Sequence, residues 1–556
     1  HNESKSEGNI GRQVMLSSEE LLHYNASVND VHNIDVLLGV NTNKEQAFSM
    51  YGYGLRGVSD DVYYYNPQKV PPVVNHGTPE FPDYAATRYY SSDFTEKRMV
   101  SYFGRLGYNY KQRYLLEFTF RRDGSSTFGE GNRWANFPSV AVGWSFSEEP
   151  FIKRLTGGWL NWGKIRGSYG KSGQTFTSAY LAHGLMNIMD KSFFGKTGIT
   201  TDKPVSPYLT WEKTRQYDLG LDMDMFNYRL NVKLDYYYKY TSSLIYDIPI
   251  PGSLYAFGAQ VENAMEISNE GLELELQADI LRESAVSWRM KFNMARNWNR
   301  FEKSYSGKDV VDGDGTLLVV GRPLNGLYVW AHRGYYNSDA EVPRLYKIDG
   351  QEIYFNGVAT NGISGAVGDY RLLDLDGDGN PDSYYAGSPL PLAHGGWVNE
   401  LMWKNFDLNV LVNFTIGRKM INNRMGLGFS RQSEDGHLTK LFDYRKLRPW
   451  DGVNKKPNAP AWGNSLSMNT DSAIEKVHHL ALKQITLGYN LPDRISKKAG
   501  LSGVRFFLTA ENLFYLSNYS GGNPEVVNIY TGRDNGDTYP LPRKYTLGLT
   551  LNFYRT

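Results

Sequence analysis

The clearest pattern in the chain is an alternation of apolar and polar residues, repeated along almost its whole length. In residues 138–147, Val, Trp and Phe side chains alternate with Ser, Ala and Gly. The same period of two organises residues 217–226, 272–279, 406–416 and 545–553. This period is typical of β-strands with one apolar face and one polar face. The alternation therefore predicts an all-β protein.

The alternation predicts about fifteen strands, and many of them are long. They lie near residues 20–29, 33–43, 99–111, 113–123, 138–148, 161–173, 214–226, 229–248, 267–281, 287–301, 392–405, 406–417, 479–492, 503–514 and 544–553. Strands of soluble proteins usually have five or six residues. Runs of ten to twenty residues favour strands that cross a membrane.

The joins between the predicted strands alternate between short and long. The short joins are at 30–32, 112, 149–160, 227–228, 282–286, 405–406 and 493–502. The long joins are at 44–98, 124–137, 174–213, 249–266, 302–391, 418–478 and 515–543. Outer-membrane barrels show this rhythm, with short periplasmic turns and long extracellular loops. We therefore predict a transmembrane antiparallel β-barrel, with apolar side chains in lipid and polar side chains in the lumen.

An odd number of strands does not close a bacterial single-chain barrel. An open sheet edge in lipid would also leave backbone groups without hydrogen bonds. The chain opens on HNESKSEGNI, which lacks the apolar core of a signal peptide. We therefore expect residues 1–556 to be the C-terminal part of a longer barrel. The remaining N-terminal portion would be a missing segment or a separate polypeptide.

Composition narrows the function further. The 556 residues include 60 Lys and Arg against 59 Asp and Glu. The chain therefore lacks the excess of basic residues that is typical of nucleic-acid-binding proteins. The chain contains no Cys, which excludes disulfides, Cys-ligated zinc and a cysteine nucleophile. The sequence contains no run of about 18 apolar residues, so it predicts no membrane-spanning helix. No catalytic motif is evident, and we do not expect an enzyme.

Several stretches resemble the SusC/RagA family, the TonB-dependent outer-membrane transporters of Bacteroidetes. Two of them read GKIRGSYGKSGQ, at 163–174, and LTWEKTRQYDLGLD, at 209–222. The others lie at residues 101–151, 235–251, 261–276, 367–382, 482–492, 505–514 and 539–553. They follow in order over nearly the whole chain.

The resemblance implies a 22-stranded barrel closed by an N-terminal plug, of which this chain would supply about 15 C-terminal strands. The long extracellular loops would then lie near 44–98, 174–213, 302–391, 418–478 and 515–543. It also implies a SusD-like surface lipoprotein as a lid, and TonB with ExbB and ExbD on the inner side. Members import glycan oligomers or peptides. We expect glycan import at the outer membrane, since glycan importers form the larger part of the family.

One acidic motif has the spacing of a calcium loop. Asp374, Asp376, Asp378, Asn380 and Asp382 match the first nine positions of an EF-hand, with Gly between them. The bidentate Glu expected at position twelve is absent, because Tyr stands there. A polar turn built on Asp and Gly is the alternative. The motif predicts a structural Ca²⁺ in the 302–391 loop, and no other cofactor is expected.

Other candidate features carry weaker signals. Gly52, Gly54 and Gly57 match a dinucleotide-binding spacing, but no βαβ unit surrounds them. The histidines at 332, 394, 478 and 479 lack metal-ligand spacing and are interpreted as structural or exposed. Loop aromatics could stack on sugar rings, although packing within the loops is the simpler interpretation. These aromatics are Trp134, Trp330, Tyr335, Tyr336, Trp450 and Trp462.

Two other functions remain open at this point. A passive porin or a barrel adhesin would have the same strand pattern with no TonB-driven transport. A soluble all-β glycan-binding protein would have the same alternation, with the apolar face in a core. Ligand-contact residues are not indicated by any motif.

Overall fold

A computed structural model gives the structure of the chain. It describes residues 5–554 except 56–72, 76–83, 87, 177, 185, 194–195, 202–203, 256, 283, 312–316, 343, 347–351, 355–366, 374, 376–381, 424–447, 454–455, 462–469, 499 and 537.

Within the described residues, fifteen long strands form one antiparallel sheet in which neighbours follow chain order, as the alternation predicts. They are β1 (Lys5–Val28), β2 (His32–Leu55), β3 (Arg88–Tyr110), β4 (Tyr114–Ser125), β5 (Trp134–Trp144), β6 (Leu160–Gln174), β7 (Glu212–Met225), β8 (Leu230–Pro249), β9 (Ala259–Leu281), β10 (Val286–Lys303), β11 (Ala393–Trp403), β12 (Phe406–Asn422), β13 (Ile474–Asn490), β14 (Gly503–Ser517) and β15 (Lys544–Asn552). The all-β prediction is therefore confirmed.

Short strands occupy the long joins, and α-helices lie in the joins at 149–160, 249–266 and 493–502. The short strands are Val73–Asn75, Tyr84–Ala86, Met186–Phe193, Lys196–Thr201, Val310–Val311, Leu317–Leu318, Leu327–Trp330, His332–Tyr335, Arg344–Tyr346, Glu352–Tyr354, Tyr370–Leu372, Ser383–Gly387 and Arg533–Asp534. The α-helices among the described residues are α1 (Pro150–Thr156), α2 (Gly252–Tyr255) and α3 (Asp493–Lys498). None of the helices in the described residues is both long and apolar enough to cross a membrane.

The segment 44–98 differs from the long loop that the sequence predicts. β2 continues to Leu55 and β3 begins at Arg88, so much of the segment is strand. The ladder continues through polar pairs such as Lys44 opposite Arg98. The predicted strands end where the alternation of apolar and polar residues stops. Backbone hydrogen bonds extend the sheet further, because strands with water on both faces need no apolar side.

Side-chain rows across β1–β4 define an apolar band on one face. At one boundary Val28, His32, Tyr110 and Tyr114 lie side by side. At the other boundary the row consists of Glu20, Val40, Tyr102 and Arg122. Eight residues separate the two rows, about 27 Å along a strand and about 20 Å along the membrane normal at the usual tilt. This height is comparable with the apolar band of about 25 Å in outer-membrane barrels.

The apolar band is exposed, whereas ion pairs occupy the other face of the sheet. Leu22, Leu38 and Phe118 keep about half or more of their surface accessible. On the opposite face Arg105 binds Asp35 at 2.7 Å. Exposed apolar side chains on one face and paired charges on the other are what a barrel in lipid requires.

Contacts divide the chain into two compact units. Unit 1 comprises residues 1–143, 168–216 and 241–266, and unit 2 comprises residues 144–167, 217–240 and 267–556. A small core in unit 1 surrounds Trp211, which packs on Phe128 and Phe137. In unit 2, one core joins Met420, Val477, Tyr519 and Val527. This second core fixes the loop segment that bounds the candidate site.

Candidate functional site

A cavity of about 460 Å³ lies on the polar face of β10–β13, within unit 2. This volume is in the range of small-ligand sites. Its polar lining is supplied by Asn293, His394, Asn413, Thr415, Arg418, His479 and Glu525. Strands form one wall, and residues of the loop segment 518–536 form the opposite side.

Strand register brings two asparagines together in this cavity. Asn293 lies opposite Gly396, and Gly396 lies opposite Asn413, so all three share one row. The Gly396 N–H donates to Asn293 Oδ1 at 2.7 Å. A Cβ on Gly396 would lie 3.3 Å from Asn413 Oδ1. The glycine therefore leaves the space into which both amides project.

Two polar side chains of the cavity have free hydrogen-bonding groups. Within the described residues, neither the Asn413 amide nor the His394 imidazole has a hydrogen-bond partner. An amide offers two N–H donors and one acceptor oxygen, and an imidazole offers one or two further groups. Both can therefore bind hydroxyl or amide groups of a ligand without breaking an internal contact.

The segment 518–536 is held in place by one buried arginine. Arg418 is only 6% exposed. It donates to the carbonyl oxygens of Pro389 at 3.1 Å, Pro524 at 3.1 Å, Val527 at 2.9 Å and Asn528 at 2.7 Å. The planar fork of arginine suits such multiple acceptors. Arg418 thus ties the loop to the end of β12.

Further contacts fix the same segment to the sheet. The Tyr519 hydroxyl donates to Asp534 at 2.8 Å. Arg533 and Asp534 pair in parallel with Ile421 and Asn422 of β12. The long join predicted at 515–543 overlaps the residues between β14 and β15, and part of this stretch is packed and hydrogen-bonded.

A carboxylate at the rim links this segment to β13. Glu525 accepts a hydrogen bond from Lys483 Nζ at 3.2 Å, and its other oxygen lies 3.6 Å from His479 Nε2. At 3.6 Å the histidine contact is longer than a hydrogen bond. The neighbouring imidazole, followed by the ammonium group, lowers the pKa of the Glu525 carboxyl, although burial opposes this. Glu525 is thus held as a paired anion.

A second cavity of about 290 Å³ continues the polar surface toward β8 and β9. It shares Asn293 and His394 with the first cavity. Its own charged groups include Lys233 and Glu275, which form an ion pair at 3.5 Å. The two cavities together extend the polar surface from β8 to β13.

Two of the loop aromatics, Tyr335 and Tyr336, are buried in the loops and do not line the cavity. Tyr335 and Tyr370 stack with ring centres 5.4 Å apart, and both are buried. Tyr336 is also buried. In the same group of loops, burial of the Tyr328 side chain raises its pKa to about 12. Of the loop aromatics considered as sugar platforms, Tyr335 and Tyr336 therefore pack within the loops. Trp134 stacks on Tyr102 at the apolar band, and Trp462 lies outside the described residues.

The predicted calcium motif lies mostly outside the described residues. Asp374, Asp376, Asp378 and Asn380 fall there, and the motif stays a prediction. Asp382 is described, and its backbone N–H donates to the Leu373 carbonyl at 2.9 Å. The described part of the chain contains no group of three His, Cys, Asp or Glu that could hold a metal.

The histidines take different positions. His332 binds Asp471 in the loops, and Tyr384 donates to the same carboxylate at 3.3 Å. His394 and His479 line the cavity, a position that sequence reasoning did not assign to them. The alternation could have placed His479 on the polar face of its strand. The pairing with Glu525 depends on a loop contact that no short-range pattern reveals.

The glycine motif takes no part in a nucleotide site. Gly52 and Gly54 lie inside the antiparallel strand β2, and Gly57 falls outside the described residues. A dinucleotide fold would need a turn into a helix at this point.

Comparison with known proteins gives a consistent result. The model of the TonB-dependent receptor-like β-barrel family matches residues 15–413. TonB-dependent receptor P26 of Formosa agariphila is 30% identical over 565 residues, covering 97% of this chain and 53% of that protein. TonB-dependent receptor SusC of Bacteroides thetaiotaomicron is 29% identical over 493 residues, covering 85% and 45%. The chain thus spans about half the length of the curated relatives it matches.

Solved structures share the fold. A structure of the RagAB peptide transporter matches with a TM-score of 0.79 at 22% identity, covering 98% of this chain and 56% of that chain. The open-open state of the RagAB peptide importer matches with a TM-score of 0.78 at 21% identity, covering 99% and 56%. At 21–22% identity, the similarity to these structures shows a shared fold.

Proposed function

Because the chain belongs to the TonB-dependent receptor-like β-barrel family, we propose that it forms the ligand-receiving wall of an outer-membrane nutrient importer. The polar faces of its strands line the lumen, and the apolar band faces lipid. The cargo is an oligomeric polar nutrient, a glycan oligosaccharide. Import uses a SusD-like lipoprotein as the outer lid and energy from TonB with ExbB and ExbD.

The observation that carries this proposal is the pair of free polar side chains, Asn413 and His394, in the lumen cavity. Sugar hydroxyls both donate and accept hydrogen bonds, which suits amide and imidazole groups. The charged groups at the rim are already engaged, since Glu525 binds Lys483 and Arg418 binds four carbonyls. A neutral ligand rich in hydroxyl groups fits this lining.

Relatives support an import role and differ in what their names say of cargo. The similar SusC protein is named as a TonB-dependent receptor, and the similar RagAB structures are titled as a peptide transporter or importer. Peptide amides would also bind asparagine and histidine. Peptide uptake is therefore the alternative outcome of the test below.

Uptake by cells tests the proposal. A strain that lacks the gene receives the full-length transporter, and import of labelled oligosaccharides and labelled peptides of equal length is measured with and without TonB. We expect TonB-dependent import of oligosaccharides. TonB-independent uptake would favour a passive porin, and import of peptides alone would overturn the glycan assignment.

A matched pair of variants connects uptake to the cavity. Asn413→Leu removes the free amide, whereas Asn409→Leu changes an asparagine on the same face of β12 that does not line the cavity. We expect Asn413→Leu to lower uptake at limiting ligand about tenfold, the effect of losing one or two hydrogen bonds. Asn409→Leu should keep normal uptake. Equal loss in both variants would contradict a ligand site at Asn413.

A further inference from the structure

A groove lies on the side of β1–β4 that carries the apolar band. Its volume is about 800 Å³, and its walls are mostly apolar. The walls include Leu22, Leu38, Phe118 and Phe120. At its centre lies Gly104, where an added Cβ would approach Leu38 Cδ2 to 3.1 Å. The missing side chain makes the groove deep at the level of the apolar band.

An arginine stands at one end of this groove. Arg122 is exposed and lies opposite Tyr102, in the row that ends the apolar band. Its guanidinium lies 5.3 Å from the centre of the Trp134 ring, and Trp134 stacks on Tyr102 at 6.1 Å. Trp and Tyr mark the level of lipid headgroups in barrels. Arg122 is therefore a cation at the headgroup level.

The position of this row identifies the leaflet. The strands β3 and β4 are joined by a short turn at Lys111–Arg113, next to the opposite boundary row. Short turns are periplasmic in outer-membrane barrels. The Arg122 row consequently lies at the outer leaflet.

No carboxylate within the described residues forms an ion pair with Arg122. Glu20 lies in the same row but three strands away, about 14 Å at the usual strand spacing. An exposed guanidinium at the edge of a lipid-facing surface binds best to a phosphate, which accepts two parallel hydrogen bonds. The apolar groove and the cation together match the acyl chain and the phosphate of a phospholipid-like molecule.

We propose that Arg122 and the groove over Gly104 bind a phosphorylated lipid of the outer leaflet. Its phosphate lies on the guanidinium, and one acyl chain fills the groove between Leu38 and Phe118. Trp134 holds the guanidinium in place through its ring face. This lipid site is separate from the lumen cavity and from the cargo.

Native mass spectrometry of the full-length transporter tests the site. The protein is reconstituted in phosphatidylcholine nanodiscs that also contain either a phosphorylated saccharolipid or the same lipid without its phosphate. We expect retained phosphorylated lipid on the wild type, with at least tenfold less of the dephosphorylated lipid. Equal retention of both lipids would overturn the role of the phosphate. Inorganic phosphate at millimolar concentration should not displace the bound lipid, and displacement would assign the site to free phosphate.

Four variants separate the two halves of the site. Arg122→Gln should lower retention of the phosphorylated lipid about tenfold, and Arg122→Lys should restore part of it. Gly104→Leu fills the groove and should lower retention while Arg122 is intact. Lys111→Gln is the matched control, because Lys111 lies over the Tyr110 ring at 5.2 Å beside the opposite boundary. Folding of each variant is checked by its resistance to unfolding in detergent. Loss in Lys111→Gln equal to that in Arg122→Gln would contradict the proposal.

Discussion

The Arg418 guanidinium donates to the carbonyl oxygen of Asn528 at 2.7 Å, joining positions 110 residues apart in the chain. The same group also binds the carbonyls of Pro389, Pro524 and Val527. One side chain thereby satisfies several buried acceptors and sets the outer side of the cavity. Arg418 thus holds the loop in position together with the pairing of Arg533 and Asp534 with β12.

Arg418→Lys should loosen this loop while keeping the positive charge. A lysine ammonium lacks the planar fork, so some of the buried carbonyls lose their donors. We expect local opening of residues 524–528 to become easier by about 3 kcal/mol, the cost of leaving such groups unpaired. Amide exchange there would then rise about a hundredfold. Exchange measured by mass spectrometry checks this, with Arg494→Lys on exposed α3 as the control.

The free-energy cost of an arginine introduced on the lipid-facing side should depend on its depth in the membrane. Leu219 lies six residues before the end of β7, and Leu549 lies three before the end of β15. Both positions fall inside an apolar band eight residues long, so we expect Leu219→Arg and Leu549→Arg each to cost roughly 2–4 kcal/mol, the penalty for a cation near the middle of the membrane. Thr550→Arg points to the lumen and should be tolerated. Urea unfolding of the full-length transporter in detergent micelles measures the three values.

Equal costs for Leu219→Arg and Thr550→Arg would contradict the assignment of faces. A cost below about 1 kcal/mol for both Leu219→Arg and Leu549→Arg would place these two positions outside the apolar band.

The strands could be predicted from sequence because their two faces meet different solvents. Alternation at Leu219, Leu547 and Val412 is a local signal, so each strand is visible without knowledge of its neighbours. Beyond the membrane both faces of β2 and β3 meet water, and the signal disappears at Lys44. The ladder continues there because backbone groups pair regardless of side chains.

The candidate site could not be predicted in the same way. Asn293 and Asn413 meet only through the register of β10, β11 and β12, which no single strand encodes. Glu525 reaches His479 because Arg418 holds the intervening loop, a contact between distant parts of the chain. The calcium motif differs from the cavity, because its spacing is evident in the sequence. Most of its residues lie outside the part of the chain that the structure describes.

Acid should release the contact between Glu525 and β13. The pKa of Glu525 is lower in the folded protein than its ordinary value of 4.5, since the charged form is held by His479 and Lys483. The stabilisation is therefore fully present above about pH 4.5 and is lost as the pH falls through the folded value. We expect amide protection of residues 520–530, corrected for intrinsic exchange, to decrease below that pH.

Glu525→Gln isolates this carboxyl from the histidine beside it. The variant should show lower protection at neutral pH and little further change between pH 5 and 3.5. Glu511→Gln, at an exposed ion pair with Lys544, is the control. Unchanged pH dependence in Glu525→Gln would assign the effect to another group.

The acidic motif should bind calcium weakly. Oxygen ligands from Asp374, Asp376, Asp378 and Asp382, with a carbonyl from Asn380, are the ligand type that Ca²⁺ prefers. Because position twelve is Tyr385, we expect an affinity in the range of 10⁻⁴–10⁻³ M, typical of extracellular modules. Calorimetric titration of the full-length transporter measures it. Asp376→Asn should weaken binding, and an unchanged titration in that variant would exclude the motif.

The most direct test of the account is a cryo-EM map of the full-length transporter with an oligosaccharide that it imports. We expect ligand density in the cavity between β10–β13 and the segment 518–536, within hydrogen-bond distance of Asn413 and His394. Asn413→Leu should lose that density under the same conditions, and Asn409→Leu should keep it. A map of the imported ligand at another position, with the cavity empty in the wild type, would contradict the account.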